Sequence, residues 1–234
     1  MDKQALREEI WDDLESSGTA RFPFPPHGRI PNVAGAAEAA DRLAETPEWA
    51  AAEVLKANPD APQLPVRRRA LREGKTVYMA APRLRDERPF RRLDPAEIDD
   101  TDAAATVSKM DRYAEPVAPE DVPRVDLIVS GSVAVTESGA RVGKGEGYSD
   151  LEFAVLRELD AVGDWTAVAT TVHERQVVAD DRVAPEPHDV PMDLVATPER
   201  LLRTETPYER PRGIDPEALD AETVAEIPVL SRFE

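Results

Sequence analysis

The sequence predicts an α/β fold: a mostly parallel sheet with helices on both faces. Three observations lead there. Short, largely apolar stretches recur at 54–57, 76–80, 166–172 and 194–196, the signature of strands buried on both sides. Segments of helical period lie between them. The longest apolar run, Val125–Val135, is interrupted only by Asp126, Ser130, Gly131 and Ser132 and reads as one central strand. With 234 residues the chain can bury a substantial core.

The elements follow in order. Residues 3–15 form an amphipathic helix with Leu6, Ile10, Trp11 and Leu14 on one face. Residues 22–32 are too Pro-rich for helix or ladder. An Ala-rich helix covers 35–45, and Thr46-Pro47-Glu48 caps a short second one. A strand at Val54–Ala57 is followed by a helix at Pro65–Arg72, which stops at Gly74, and by a strand at Thr76–Ala80. A helix at Tyr148–Leu159 carries Leu151, Val155, Leu156 and Leu159 on one stripe. After the strand at 194–196, Thr197-Pro198-Glu199 predicts another capped helix running through Leu202. Residues 205–234 are Pro-rich, with one short helix near 215–225. They read as an extension packed on a domain of residues 1–204.

Charge and composition exclude several functions. Lys plus Arg number 29 against 47 Asp plus Glu, a formal net charge of −18. That field repels phosphate and disfavours nucleic acid as a partner. The absence of Cys excludes disulfides, thiolate nucleophiles and Cys-based metal sites. Three histidines, His27, His173 and His188, leave little for a His-rich centre. No stretch is long and apolar enough to span a membrane. Met1-Asp2-Lys3-Gln4 opens a charged segment with no apolar run behind it, unlike a secretory leader, so a cytoplasmic location is expected. Only five basic residues are Lys. An acid-rich, Lys-poor composition suits a high-salt cytosol, where the Debye length falls to ~3 Å.

The strongest chemical signal is Gly139-Ala-Arg141-Val-Gly143-Lys144-Gly145-Glu146-Gly147-Tyr148-Ser149-Asp150. It follows the best strand and enters a helix. Alternate glycines admit a ligand close to the backbone, and the first-turn N–H groups of the helix point at it, which together make a phosphate cradle. Glycine spacing of this kind also occurs in flexible surface turns. It matches neither a Walker A loop nor the dinucleotide pattern. A second, weaker segment is Pro185-Glu-Pro-His188-Asp189-Val-Pro-Met-Asp193, a pattern that occurs in turns more often than in ligand sets. In a third, Lys3 and Arg7 share one helix face. A fourth is a basic run from Arg67 to Arg92. It would suit a polyanion or RNA, or equally the acidic remainder of the fold.

Together these segments resemble the 5-formyltetrahydrofolate cyclo-ligase family over residues 3–203. The carriers are Lys3-Gln-Ala-Leu-Arg7, Gly139–Asp150, and Pro187-His188-Asp189 with Asp193-Leu-Val-Ala-Thr197. Within that family the chain is most similar to the methenyltetrahydrofolate synthase domain-containing branch, through Gly28-Arg-Ile-Pro-Asn32, Asn58-Pro-Asp60, Pro82-Arg-Leu84, Gly131-Ser-Val-Ala-Val135 and Lys144–Glu152. The resemblance implies a three-layer fold like ribose-phosphate isomerases and CoA transferases. It implies ATP- and Mg²⁺-dependent closure of 5-formyltetrahydrofolate, polyglutamylated or not, to 5,10-methenyltetrahydrofolate, with release of ADP and phosphate, by a monomer or homodimer. Lys3, Arg7 and Lys144 are then the catalytic cations. ATP would be held by these three with Arg141, Gly143, Gly145, Glu146, Gly147 and Tyr148. Asp60 and Tyr148 would contact the folate, and Asp150 and Asp189 would hold Mg²⁺ from polar loops where a carboxylate has no packing role. Two departures stand out. The family reads Gly-Tyr-Tyr-Asp where this chain has Ser149, and it has Glu where this chain has Asp60. The alternative function is a diverged nucleotide-binding or RNA-associated interaction module of the same fold.

Overall fold

The computed structural model describes residues 2–215, 219, 224 and 226–232. Helix α1 (Lys3–Ser16) starts where the Asp2 side chain accepts from the Ala5 N–H, and it buries Leu6, Ile10, Trp11 and Leu14. A two-residue ladder of β1 (Ala20–Arg21) and β2 (Asn32–Val33) closes the Pro-rich loop, so Asn32 belongs to a strand. Next come α2 (Ala36–Ala44), α3 (Pro47–Ala51), β3 (Val54–Ala57), α4 (Leu64–Arg72) and β4 (Thr76–Ala80). Thr46 caps α3 by accepting from Trp49 N–H. Strands β5 (Phe90–Leu93) and β6 (Glu115–Val117) flank short helices α5 (Thr101–Ala104) and α6 (Val107–Met110). Then follow β7 (Leu127–Ser130), β8 (Ala134–Thr136), β9 (Arg141–Val142), α7 (Tyr148–Glu158), β10 (Ala167–Thr171), β11 (Val177–Val178), β12 (Leu194–Ala196) and β13 (Leu201–Arg203).

Eight strands form the main sheet in the order β13-β12-β10-β7-β3-β4-β5-β6. The five central strands are parallel, and β13, β5 and β6 add antiparallel edges. Strand alternation sorts the core into two faces. Leu55, Ala57, Val77, Met79, Leu127, Val129, Leu194 and Ala196 pack with α2, α3 and α4. Tyr78, Ala80, Ile128, Val168 and Val195 pack with Phe153, Val155 and Leu156 of α7. The fold is thus α/β, with helices on both sides of a mostly parallel sheet.

Two further expectations need correction. The run Val125–Val135 is two strands, because the chain leaves the main sheet at Gly131-Ser132 and β8 joins a separate three-stranded sheet with β9 and β11. Residues 197–203 form a hairpin rather than a helix. Thr197 Oγ1 accepts from Glu199 N–H and Arg200 N–H, tightening a turn that returns β13 antiparallel to β12. Side-chain bonds of this type compete with helix formation. The edge strands β5 and β6 carry Arg91, Arg92 and Pro116, so no apolar run announced them. The helix read near 215–225 lies largely outside the described residues. Farther on, Ile227, Val229 and Leu230 are buried in the α7-side cluster.

A net charge of −18 makes stability salt-dependent. Raising salt from ~0.1 M to ~2 M shortens the Debye length from about 10 Å to below about 3 Å and damps the self-repulsion. We expect a higher melting temperature in ~2 M salt. Equal values by calorimetry would remove the salt-adapted reading.

Candidate active site

Strand order reverses between β3 and β7. From β3 the chain proceeds outward to β4, and from β7 it proceeds the other way to β10 and β12. The loops leaving their carboxyl ends therefore diverge, and ligands of open α/β sheets bind in the crevice so formed. A cavity of about 390 Å³ occupies this place. Asn58, Pro59 and Asp60 line it from the β3 side, Gly131 from the β7 side, and Arg141, Gly143, Lys144 and Glu146–Asp150 from the glycine segment. A second cavity of about 510 Å³ shares Glu146, Gly147, Tyr148 and Asp150 and continues along Leu151, Ala154, His188, Pro211 and Ile214.

The glycine segment is built rather than slack. Arg141 sits on β9, buried, and donates from Nη1 to Gly131 O at 2.8 Å and from Nη2 to Asp150 Oδ2 at 2.6 Å. Burial lowers the affinity of the Arg141 guanidinium for its proton, and Asp150 more than reverses this, so its pKa is raised. Asp150 Oδ1 accepts from Val190 N–H at 3.0 Å. Gly145 takes φ +107, a conformation open to glycine, and a Cβ there would stand 3.4 Å from Arg7 Cζ. Gly147 takes φ 72 as the N-cap of α7 and offers no side chain to cap it. No side chain caps the first turn of this eleven-residue helix, and Gly147, Tyr148, Ser149 and Asp150 at its start line the 390 Å³ cavity.

Asp150 has a packing role after all. Both of its oxygens are engaged and the residue is buried. A cation at Asp150 would compete with Arg141. The better donor group for a hard cation is Glu186, His188 and Asp189, whose ligand atoms lie within 4.8 Å of one another. Asp150 and this loop adjoin through Val190.

Lys3 and Arg7 line neither cavity; α1 sets Arg7 against Gly143, which lines the 390 Å³ cavity, and Lys3 against Asp189 and Glu186. Lys3 Nζ donates to Asp189 Oδ2 at 2.6 Å and Glu186 Oε2 at 3.0 Å. Burial lowers the Lys3 pKa, and the bonds to Asp189 and Glu186 outweigh it, so the net shift is upward. Arg7 Nε donates to Gly143 O at 2.7 Å. Burial pushes the Arg7 guanidinium down, with Asp2 and Asp189 pulling the other way. Lys144 is paired with Glu146 at 2.7 Å and is half-exposed. Residues more than a hundred positions apart thus meet at one place.

Asp60 is held indirectly. The buried Arg67 donates to Asn58 O and Asp60 O at 2.6 and 2.9 Å and to Ala105 O at 2.9 Å, fixing the Asn58–Asp60 loop. Burial raises the Asp60 carboxyl above its ordinary range, against the pull of Lys144 and Arg67. Sequence reasoning missed the floor below it. Lys56 forms a buried ion pair with Glu152 and donates to Asn58 Oδ1 at 3.3 Å. A lysine alternating with Leu55 and Ala57 in an apolar strand was the available signal. Glu186, which shares Lys3 with Asp189, was also missed.

The basic run is largely paired within the fold. Beyond Arg67, Arg69 meets Asp41 and Glu73, Arg72 meets Asp102, Arg85 meets Glu226, Arg91 meets Asp86 and Asp111, and Arg92 meets Asp94 and Glu115. Of its two readings, pairing with the acidic remainder is the one observed. Among the described residues no helix is long and apolar enough to cross a membrane.

Comparison with known proteins places the chain. A methenyltetrahydrofolate synthase domain-containing protein of Mus musculus is 42% identical over 231 residues, covering 97% of this chain and 62% of that protein. The Homo sapiens protein of the same description is 38% identical, covering 97% of this chain and 60% of that protein. The chain therefore spans about three fifths of the length of these relatives. The NMR structure of Aquifex aeolicus 5,10-methenyltetrahydrofolate synthetase shares the fold, with a TM-score of 0.54 at 20% identity, covering 89% of this chain and 96% of that chain. The sequence model of one family matches residues 1–198, and on that match the chain belongs to the 5-formyltetrahydrofolate cyclo-ligase family.

Proposed function

We propose that this protein uses Mg·ATP to close 5-formyltetrahydrofolate to 5,10-methenyltetrahydrofolate, releasing ADP and phosphate. The observation that carries the reading is convergence. Arg7 bonds Gly143, Lys3 bonds Asp189, and Asp189 adjoins the Arg141–Asp150 pair at the N-terminus of α7. Phosphoryl transfer needs positioned positive charge more than covalent help. Here Arg141 and Lys144 line the 390 Å³ cavity, Arg7 bonds the Gly143 carbonyl beside them, and Lys3 stands on Asp189 next to the residue that bonds Asp150.

In this reading the triphosphate lies along Gly143–Tyr148, the nucleoside enters the 510 Å³ cavity beside Tyr148 and Leu151, and the folate head enters the 390 Å³ cavity beside Asp60. The formyl oxygen attacks the γ-phosphorus and ADP leaves. N10 then bonds to the formyl carbon and gives its proton to solvent, and the C–O bond breaks as the oxygen departs with phosphate. Lys3, Arg7 and Lys144 hold the transferred charge. Mg²⁺, when bound, would neutralise phosphate oxygens, and Asp189 with Glu186 and His188 are the residues that would hold it.

Lys144 gives a test of the phosphate wall. Its ammonium is a compact charge between two glycines, and a planar guanidinium would crowd that place. Lys144→Ala is expected to raise the ATP KM at least ~tenfold, the ~1.4 kcal/mol of one charge-assisted contact. Lys144→Arg should recover part of it. A wild-type ATP KM for Lys144→Ala would assign this lysine to solvent.

A further inference from the structure

Beneath the 390 Å³ cavity lies an ion pair that the phosphoryl chemistry does not use. Lys56 and Glu152 have side chains only 2% and 7% exposed. Desolvating two charges costs about as much as their attraction returns, so stability alone does not account for such a pair. Glu152 Oε2 is fully buried against Lys56 and finds no hydrogen-bond donor elsewhere, yet Glu152 lines the cavity. Oε2 has no exposed surface and is taken up by the ion pair, so the acceptor capacity left for the cavity is that of the second carboxylate oxygen, Oε1.

The floor continues through neighbours. Asn58 Oδ1 takes a bond from Lys56 Nζ and lies 3.5 Å from Ser149 Oγ, which lies 3.3 Å from Ser130 Oγ. Ser149 is the position where the family pattern carries an aromatic. A stacking wall is thus replaced by hydrogen-bonding groups.

We propose that Glu152, held by Lys56, is a ligand-recognition residue: its carboxylate accepts an N–H from a nitrogen heterocycle seated in this cavity. The inference rests on the reading that this cavity takes the folate head, and it adds a specificity residue that Asp60 alone does not supply.

The test is equilibrium binding in molar salt, with 5-formyltetrahydrofolate, pterin-6-carboxylate and Mg·ADP as separate probes. Lys56→Met with Glu152→Met removes both charges at similar volume. The Kd of both pterin ligands should rise at least ~tenfold, the loss of one charge-assisted hydrogen bond, with Mg·ADP binding little changed. Glu152→Asp keeps the charge but withdraws the acceptor by one methylene, so it should weaken the same two ligands if the double variant fails to fold. A folded variant that binds both pterins as wild type does would overturn the proposal. So would wild-type protein that binds neither at millimolar concentration. Wild type that binds pterin-6-carboxylate tightly but never turns over 5-formyltetrahydrofolate would sink the cyclo-ligase reading and leave this inference standing.

Discussion

Arg141→Met is expected to lower the melting temperature by roughly 6–20 °C, from a loss of about 3–5 kcal/mol at about 2–4 °C per kcal/mol. The cause is not the lost contact alone. Arg141 ties β9 to Gly131 O and neutralises Asp150, and both partners are buried. Removing the guanidinium leaves a carboxylate with one N–H, from Val190, and no counter-charge. The double variant Arg141→Met with Asp150→Leu should recover much of the loss, because replacing both members of a buried pair is often close to neutral. Thermal melts that rank the double variant below the single one would contradict this account of the pair.

Arg7→Ala is expected to lower kcat/KM for ATP by ~10²-fold or more, in the range of one lost donor to a developing oxyanion, about 2.7 kcal/mol or above. The melting temperature should hardly move, since Arg7 is only partly buried and bonds one backbone carbonyl and Gln4. Arg7→Lys should recover little, because an ammonium lacks the fork that bonds Gly143 O and would in addition reach a phosphate oxygen. Steady-state kinetics at limiting ATP decide the matter. Wild-type kcat/KM in a folded Arg7→Ala protein would remove α1 from the site.

The sequence made the central sheet legible for a plain reason. Strands such as Thr76–Ala80 and Leu127–Ser130 are buried almost throughout, and burial there is written in residue type; Val54–Ala57 departs from this at Lys56, buried through its ion pair with Glu152. The edges were not legible. Strands β5 and β6 hold Arg91, Arg92, Glu115 and Pro116, whose side chains meet solvent and one another, so hydropathy says nothing of them. The turn at Thr197 carries the residues of a helix cap, and only the pairing of Leu201–Arg203 with β12 decides for a hairpin. In the site, the glycine segment is visible because glycine spacing reports backbone conformation. The buried partners were invisible in composition. Arg67 sits in a basic run that looked like a surface patch, and its bonds go to three carbonyls. Asp150 looked like a free carboxylate, and it depends on Arg141, nine residues away.

ATP-dependent ring closure can be followed optically. Methenyltetrahydrofolate absorbs in the near ultraviolet. Purified protein in molar salt, given 5-formyltetrahydrofolate and Mg²⁺, should show no change until ATP is added. Absorbance should then rise in proportion to enzyme, with phosphate released in equal amount, and Arg7→Ala should suppress both. A folded protein that binds Mg·ADP yet produces neither absorbance nor phosphate with this substrate would contradict the account.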